Sequence, residues 1–171
     1  MNMKNVFKAF TLAIMLVLLV PSTMAQTGKA NFSGDWAYNA QENSGGGQMG
    51  GGRGFGGGDM SVKQDANLLT VTTTRQGRDG GAPVTTTMKY TLDGKEAVNS
   101  SQWGDSKSTA TWSADGKSLT IKTARTIDMG GESRAVNSTE VWNLNGTALN
   151  VASTMQTPNG DRTSTRVYQK K

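Results

Sequence analysis

Through most of its length the chain alternates apolar and polar residues with a period of two, and nowhere sustains the three-to-four spacing of an amphipathic helix. Such alternation places successive side chains on opposite faces of an extended strand. It predicts strands over residues 34–39, 60–64, 68–76, 83–92, 95–103, 107–112, 118–127, 133–144, 148–156 and 162–169. Short glycine-bearing stretches separate them: Asp79-Gly80-Gly81, Asp93-Gly94, Asp115-Gly116, Gly130-Gly131, Asn145-Gly146 and Asn159-Gly160. Asp-Gly and Asn-Gly favour two-residue hairpins, because the primed turns need positive φ and match the twist of the flanking strands. Every connection therefore suits neighbouring antiparallel strands. The expected fold is all-β, an antiparallel up-and-down meander barrel of eight to ten strands, closed or nearly closed, since closure removes the exposed edges of a flat sheet. A two-sheet sandwich is the alternative.

Three turns share one mark, an aromatic residue, a spacer, an aliphatic or small residue, then Asp-Gly or Asn-Gly: Tyr90 to Gly94, Trp112 to Gly116 and Trp142 to Gly146. The last two also share an aliphatic pair just past the turn, Leu119 and Ile121 in one case, Leu149 and Val151 in the other. Similar hairpin corners in a regular barrel account for this without a duplication.

Following side-chain phase from the apolar positions beside these turns defines one face. It carries Leu69, Val71, Thr73 and Arg75; Leu119, Ile121, Thr123 and Arg125; and Leu149, Val151, Ser153 and Met155. Strands entering the turns add Leu92, Tyr90, Met88, Thr86 and Val84, then Leu144, Trp142, Glu140, Ser138, Val136 and Arg134. The last strand gives Tyr168, Arg166, Ser164 and Arg162. This inward face is apolar near the turns and polar, with arginines, farther along. The opposite face carries Thr70, Thr72, Thr74, Thr120, Lys122, Lys89 and Thr91, a surface for water and not for the lipid around a membrane barrel.

Composition narrows the chemistry. With no cysteine and no histidine, disulfides, thiolate metal sites and every Ser-His-Asp or Cys-His arrangement are excluded. Asp93 and Asp115 belong to turns, which leaves few carboxylates for a paired-acid mechanism. No enzyme activity, catalytic residue, metal or cofactor is expected.

Residues 1–25, with Lys4 and Lys8 before an apolar run from Ala9 to Val20, read as a secretory signal peptide cleaved before Gln26, too short to be a membrane span. The expectation is an exported protein, periplasmic or extracellular. Residues 26–171 then form one domain of 171 − 25 = 146 residues, with a charge of 18 − 2 − 13 = +3. No basic block marks it for nucleic acid. Residues 44–59 form a glycine-rich insertion of flexible-linker composition, ten of the sixteen being glycine. Asn31, Asn99 and Asn137 stand in Asn-x-Ser/Thr sequons.

Two end motifs, Phe32-Ser33-Gly34-Asp35-Trp36 and Arg166-Val167-Tyr168-Gln169-Lys170, resemble the calycin barrels, that is, the lipocalins and fatty-acid-binding proteins. The chain is similar to small secreted bacterial lipocalin-like proteins. The first-strand Phe-x-Gly-x-Trp matches Phe32, Gly34 and Trp36, and the last-strand Arg-x-Tyr matches Arg166 and Tyr168. The resemblance implies an interior site for a small hydrophobic or fatty-acid-like ligand, with Arg166 and Tyr168 on its carboxylate. The helix-turn-helix lid of fatty-acid-binding proteins is replaced here by the glycine-rich insertion. The ligand-facing residues expected are Trp36, Tyr90, Arg125, Glu140, Trp142, Arg166 and Tyr168, with Arg125 toward the rim. Two readings stay open: Arg166 orients an anionic ligand, or Arg166 pairs with Glu140 and plugs a filled core that serves an envelope structural or protein-interaction role.

Overall fold

A computed structural model describes residues 28–39, 57–77, 80–101, 104–129, 132–157 and 159–171. The leader reading, the glycine-rich insertion up to residue 56 and the turn at Gly130-Gly131 lie outside the described residues. Ten strands run in order: β1 (Gly34–Tyr38), β2 (Asp59–Gln64), β3 (Leu68–Arg75), β4 (Val84–Thr91), β5 (Glu96–Ser101), β6 (Gly104–Trp112), β7 (Ser118–Met129), β8 (Glu132–Asn145), β9 (Ala148–Thr157) and β10 (Gly160–Lys170). All ladders are antiparallel, in the spatial order β4-β3-β2-β1-β10-β9-β8-β7-β6-β5. This is a meander in which β1 joins β10, forming a nearly closed barrel and not a sandwich.

The turns depart from the two-residue reading in an instructive way. Asn145 pairs with Ala148, so the hairpin residues are Gly146 and Thr147, one step beyond the expected Asn-Gly. Gly146 has φ +60°, the left-handed value that the first central position of a II′ hairpin requires. Asp93 and Asp115 instead sit in longer connections over 92–95 and 113–117. Each carboxylate folds its loop by accepting a backbone N–H two residues on, from Lys95 at 3.1 Å and Lys117 at 3.0 Å. The Lys95 ammonium, 2.9 Å away, and secondarily the Lys95 backbone N–H hold the pKa of the Asp93 carboxyl down at about 2. The similar Trp112 and Trp142 marks consequently give different registers: Trp112 lies opposite Leu119, whereas Trp142 lies between Leu119 and Val151.

The turn-rich end is closed by a floor of aromatic side chains. Phe32 is fully buried, stacks on Trp112 at 5.7 Å and 7°, and meets Trp142 edge-on at 5.7 Å and 78°. The segment leading into β1 is tied across this end. Ala30 N–H donates to the Gly116 carbonyl, and the Gln64 side chain accepts from Phe32 N–H and donates to the Ala30 carbonyl. Trp36 Nε1 donates to the Phe32 carbonyl at 2.9 Å. Above the floor lie Leu69, Val71, Leu119, Ile121, Leu149 and Val151, all on the expected inward phase and buried. Leu144, expected inward, is 37 % exposed because it lies at the end of β8, beyond the ring of core side chains.

β4 and β5 are consecutive in sequence, yet no ladder joins them. The gap is bridged by a side chain. Asn99 Oδ1 accepts from Lys89 N–H at 2.7 Å, and Asn99 Nδ2 donates to the Lys89 carbonyl at 2.9 Å. The carboxamide thus supplies the donor and acceptor that a neighbouring peptide would provide. Asn99 is only 8 % exposed, so its sequon does not present an accessible acceptor. We expect Asn99→Ala to lower stability by about 1–3 kcal/mol, the penalty for stranding a buried donor and acceptor. The measurements are urea unfolding and faster hydrogen exchange at the Lys89 amide; an unchanged Lys89 exchange rate would show that the clasp does not hold the seam.

Candidate functional site

The inward residues grade from buried to accessible along nearly every strand that leaves the floor. On β7 Leu119 and Ile121 are buried while Thr123 and Arg125 are half-buried; on β9 Leu149 and Val151 give way to Ser153 and Met155 in the same manner. β3 repeats this with Leu69 and Val71, then Thr73 and Arg75, and β4 with Tyr90, then Met88 and Thr86. β6 differs, keeping Ser106, Ser108 and Ala110 buried beside the seam. Side chains that point inward and still meet solvent mark an interior open toward the end opposite the floor.

At the transition between the buried and accessible halves sits a polar cluster. Arg166 Nη2 donates to Glu140 Oε1 in an ion pair, and Glu140 Oε2 accepts from Trp142 Nε1 at 3.1 Å. The register explains the meeting: Trp142 and Arg166 flank Val151 on opposite sides, and Glu140 lies one inward step along β8 from Trp142. About three quarters of each charged side chain is buried, with 23 % of Arg166 and 25 % of Glu140 exposed. Burial opposes the charge on Arg166, and the Glu140 carboxylate outweighs it, so the guanidinium is held above its ordinary value. Its Nε is buried and has no hydrogen-bond partner among the described residues.

Three phenols surround this pair. Tyr168 is buried, packs edge-on against Tyr38 at 5.6 Å and 65°, and has its hydroxyl pushed up by burial, with Arg166 partly opposing. Tyr90, across the barrel on β4, is pushed up by burial and then by the Glu140 carboxylate. At physiological pH the Tyr90 and Tyr168 hydroxyls are thus neutral donors beside the ion pair.

The sequence-derived set therefore separates. Glu140, Trp142, Arg166 and Tyr168 come together, with Tyr90 in electrostatic reach of the pair. Trp36 belongs to the floor, where Lys170 lies 5.8 Å over its ring, and Arg125 lies nearer the mouth, paired in register with Val136 and Ser106. Tyr38 was missed, although it shares the inward phase of Trp36. Gly57 packs on its ring so closely that a Cβ there would lie 1.9 Å from the ring edge, so the chain entering β2 can cover Tyr38 only with glycine.

A hollow of about 620 Å³ is lined by Asp35, Asp59, Ser61, Thr72, Thr74 and Lys171 among others, and its lining includes none of Glu140, Trp142 or Arg166. The Asp59–Lys171 ion pair at 2.8 Å crosses it. Among the described residues no three acidic side chains gather as a metal site, and no helix is long and apolar enough to cross a membrane.

No family model and no curated protein matches the chain. Among solved structures it is similar to zebrafish ileal bile acid-binding protein complexed with cholic acid, with a TM-score of 0.52 and 18 % identity over 82 % of this chain and 98 % of that one. The likeness is one of fold, a nearly closed antiparallel β-barrel.

Proposed function

We propose that the barrel binds one small hydrophobic or amphipathic molecule in the open half of its interior, above the Glu140–Arg166 pair. The observation that supports this is the half-exposure of inward residues such as Thr123, Met88, Ser153 and Met155. A barrel of this size is just wide enough to be filled by side chains or to hold one small ligand. Here the floor half is filled, while inward side chains of the other half still meet solvent. Apolar Met88, Val136 and Met155 would contact the body of the ligand, while Arg166 Nε and the phenols of the cluster would offer donors to a polar atom at its inner end. The bile acid-binding neighbour makes such a ligand reasonable through its fold alone.

The Glu140–Arg166–Trp142 network favours a second reading, in which the cluster is a plug and the protein is an envelope structural or interaction domain. Two neighbouring positions on β9 separate the readings, since Ser153 faces inward and Ala152 outward. Delipidated protein titrated with fatty acids and apolar dyes should show a ligand-dependent rise in melting temperature. Ser153→Trp should abolish that rise and Ala152→Trp should preserve it. No response to any probe in the unmodified protein would favour the plug.

The site is further proposed to act outside the cytoplasm, in a single domain over residues 26–171. Support comes from the charged and apolar pattern of residues 1–25. An intact mass beginning at Gln26 in protein recovered from the producing cell tests this.

A further inference from the structure

The polar cluster at the inner end of the open half is neutral as a whole but unevenly satisfied. Glu140 Oε1 accepts from Arg166 Nη2 and Glu140 Oε2 accepts from Trp142 Nε1, so both carboxylate oxygens are engaged. The guanidinium also interacts with the Tyr168 hydroxyl. A guanidinium carries five N–H donors, so donors remain after these contacts although the charges of the pair cancel. The side chains opposite the pair in register, Ile121, Val151 and Ser153, are uncharged. Both members lie on the inward phase, so the quarter of each that stays exposed faces the barrel interior.

We propose that Glu140 is a specificity-determining residue: by neutralising Arg166 it closes the inner end of the site to carboxylates, so that the ligand presents an uncharged hydrogen-bond acceptor there, a hydroxyl or a carbonyl. This rests on the interior being the binding site. It departs from the Arg-x-Tyr resemblance, which implies a carboxylate held by Arg166 and Tyr168. A carboxylate brought to Arg166 would stand beside Glu140 and be repelled by it, and would lose hydration that a net-neutral cluster does not replace. An alcohol or ketone oxygen loses far less on leaving water, and it accepts from the donors that the pair leaves over. Removing the charge of Glu140 turns the same guanidinium into an unpaired fork, the geometry that holds a carboxylate.

Dodecanol and dodecanoate, titrated at about pH 8 where the free acid is ionised, test this on the delipidated parent, E140Q and E140Q/R166M. The parent should bind dodecanol at least about tenfold more tightly than dodecanoate. E140Q should gain about tenfold or more for dodecanoate, the contribution of one charge-assisted contact, and change much less for dodecanol. Dodecanoate supplies the counter-charge that E140Q lacks, so it should raise the melting temperature of E140Q more than that of the parent. E140Q/R166M carries neither charge and should lose the gain, which separates a restored ion pair from a loosened barrel. Dodecanoate binding the parent as tightly as dodecanol would overturn the assignment while leaving interior binding in place, and it is read on the parent alone even where E140Q does not fold. An E140Q protein with the parent's ratio, or a gain that persists in E140Q/R166M, would overturn it equally. Failure of dodecanol and dodecanoate alike would overturn interior binding and with it the role of Glu140.

Discussion

Replacing Glu140 with Gln is expected to destabilise the barrel by about 2–4 kcal/mol, because it leaves the Arg166 guanidinium three-quarters buried without its counter-charge. The figure lies toward the lower side of what a fully buried pair would lose, since water still reaches about a quarter of each side chain. Trp142 Nε1 keeps an acceptor in the glutamine carbonyl, so the loss isolates the charge and not the indole bond. Arg166→Met removes the opposite partner and leaves the Glu140 carboxylate three-quarters buried without its counter-charge. The double variant E140Q/R166M should recover to within about 1 kcal/mol of the parent, as replaced buried pairs often do. Urea unfolding of all four proteins gives the cycle. A double variant no more stable than either single one would show that the pair's charges are not what each partner compensates.

The strands were legible because period-two alternation is a local signal, and most of the ten observed spans fall within a residue or two of those read from sequence. β6 is the largest miss, beginning at Gly104 and not at 107. The inward position of the missed stretch is Ser106, buried but small and polar, so alternation gave no sign of it. Turn register was less legible, since one Leu-after-Trp spacing produced a tight hairpin at Gly146 and a longer loop at Gly116. The Glu140–Arg166 pair could be named from phase alone because both residues lie on the inward side of nearby strands. Asn99 could not. Its role depends on β4 and β5 being the unpaired ends of the sheet, a property of the closed topology that no local window contains.

Phe32→Ala should lower stability by about 3–5 kcal/mol, the range for truncating a buried aromatic side chain. Phe32 is fully buried between Trp112 and Trp142, and the two ring contacts add to the apolar area lost. Phe32→Leu keeps most of the volume and should lose about 1–2 kcal/mol. The backbone ties of the same segment explain why the penalty should not spread to the mouth. Gln64 and Gly116 hold Ala30 and Phe32 through main-chain groups that survive both substitutions. Tryptophan emission should therefore change in F32A while the folded fraction, at low temperature, still binds an interior probe with near-parental affinity. Loss of probe affinity in protein that remains folded would mean that floor and mouth move as one unit, and that the aromatic layer sets the shape of the ligand site as well as closing the barrel.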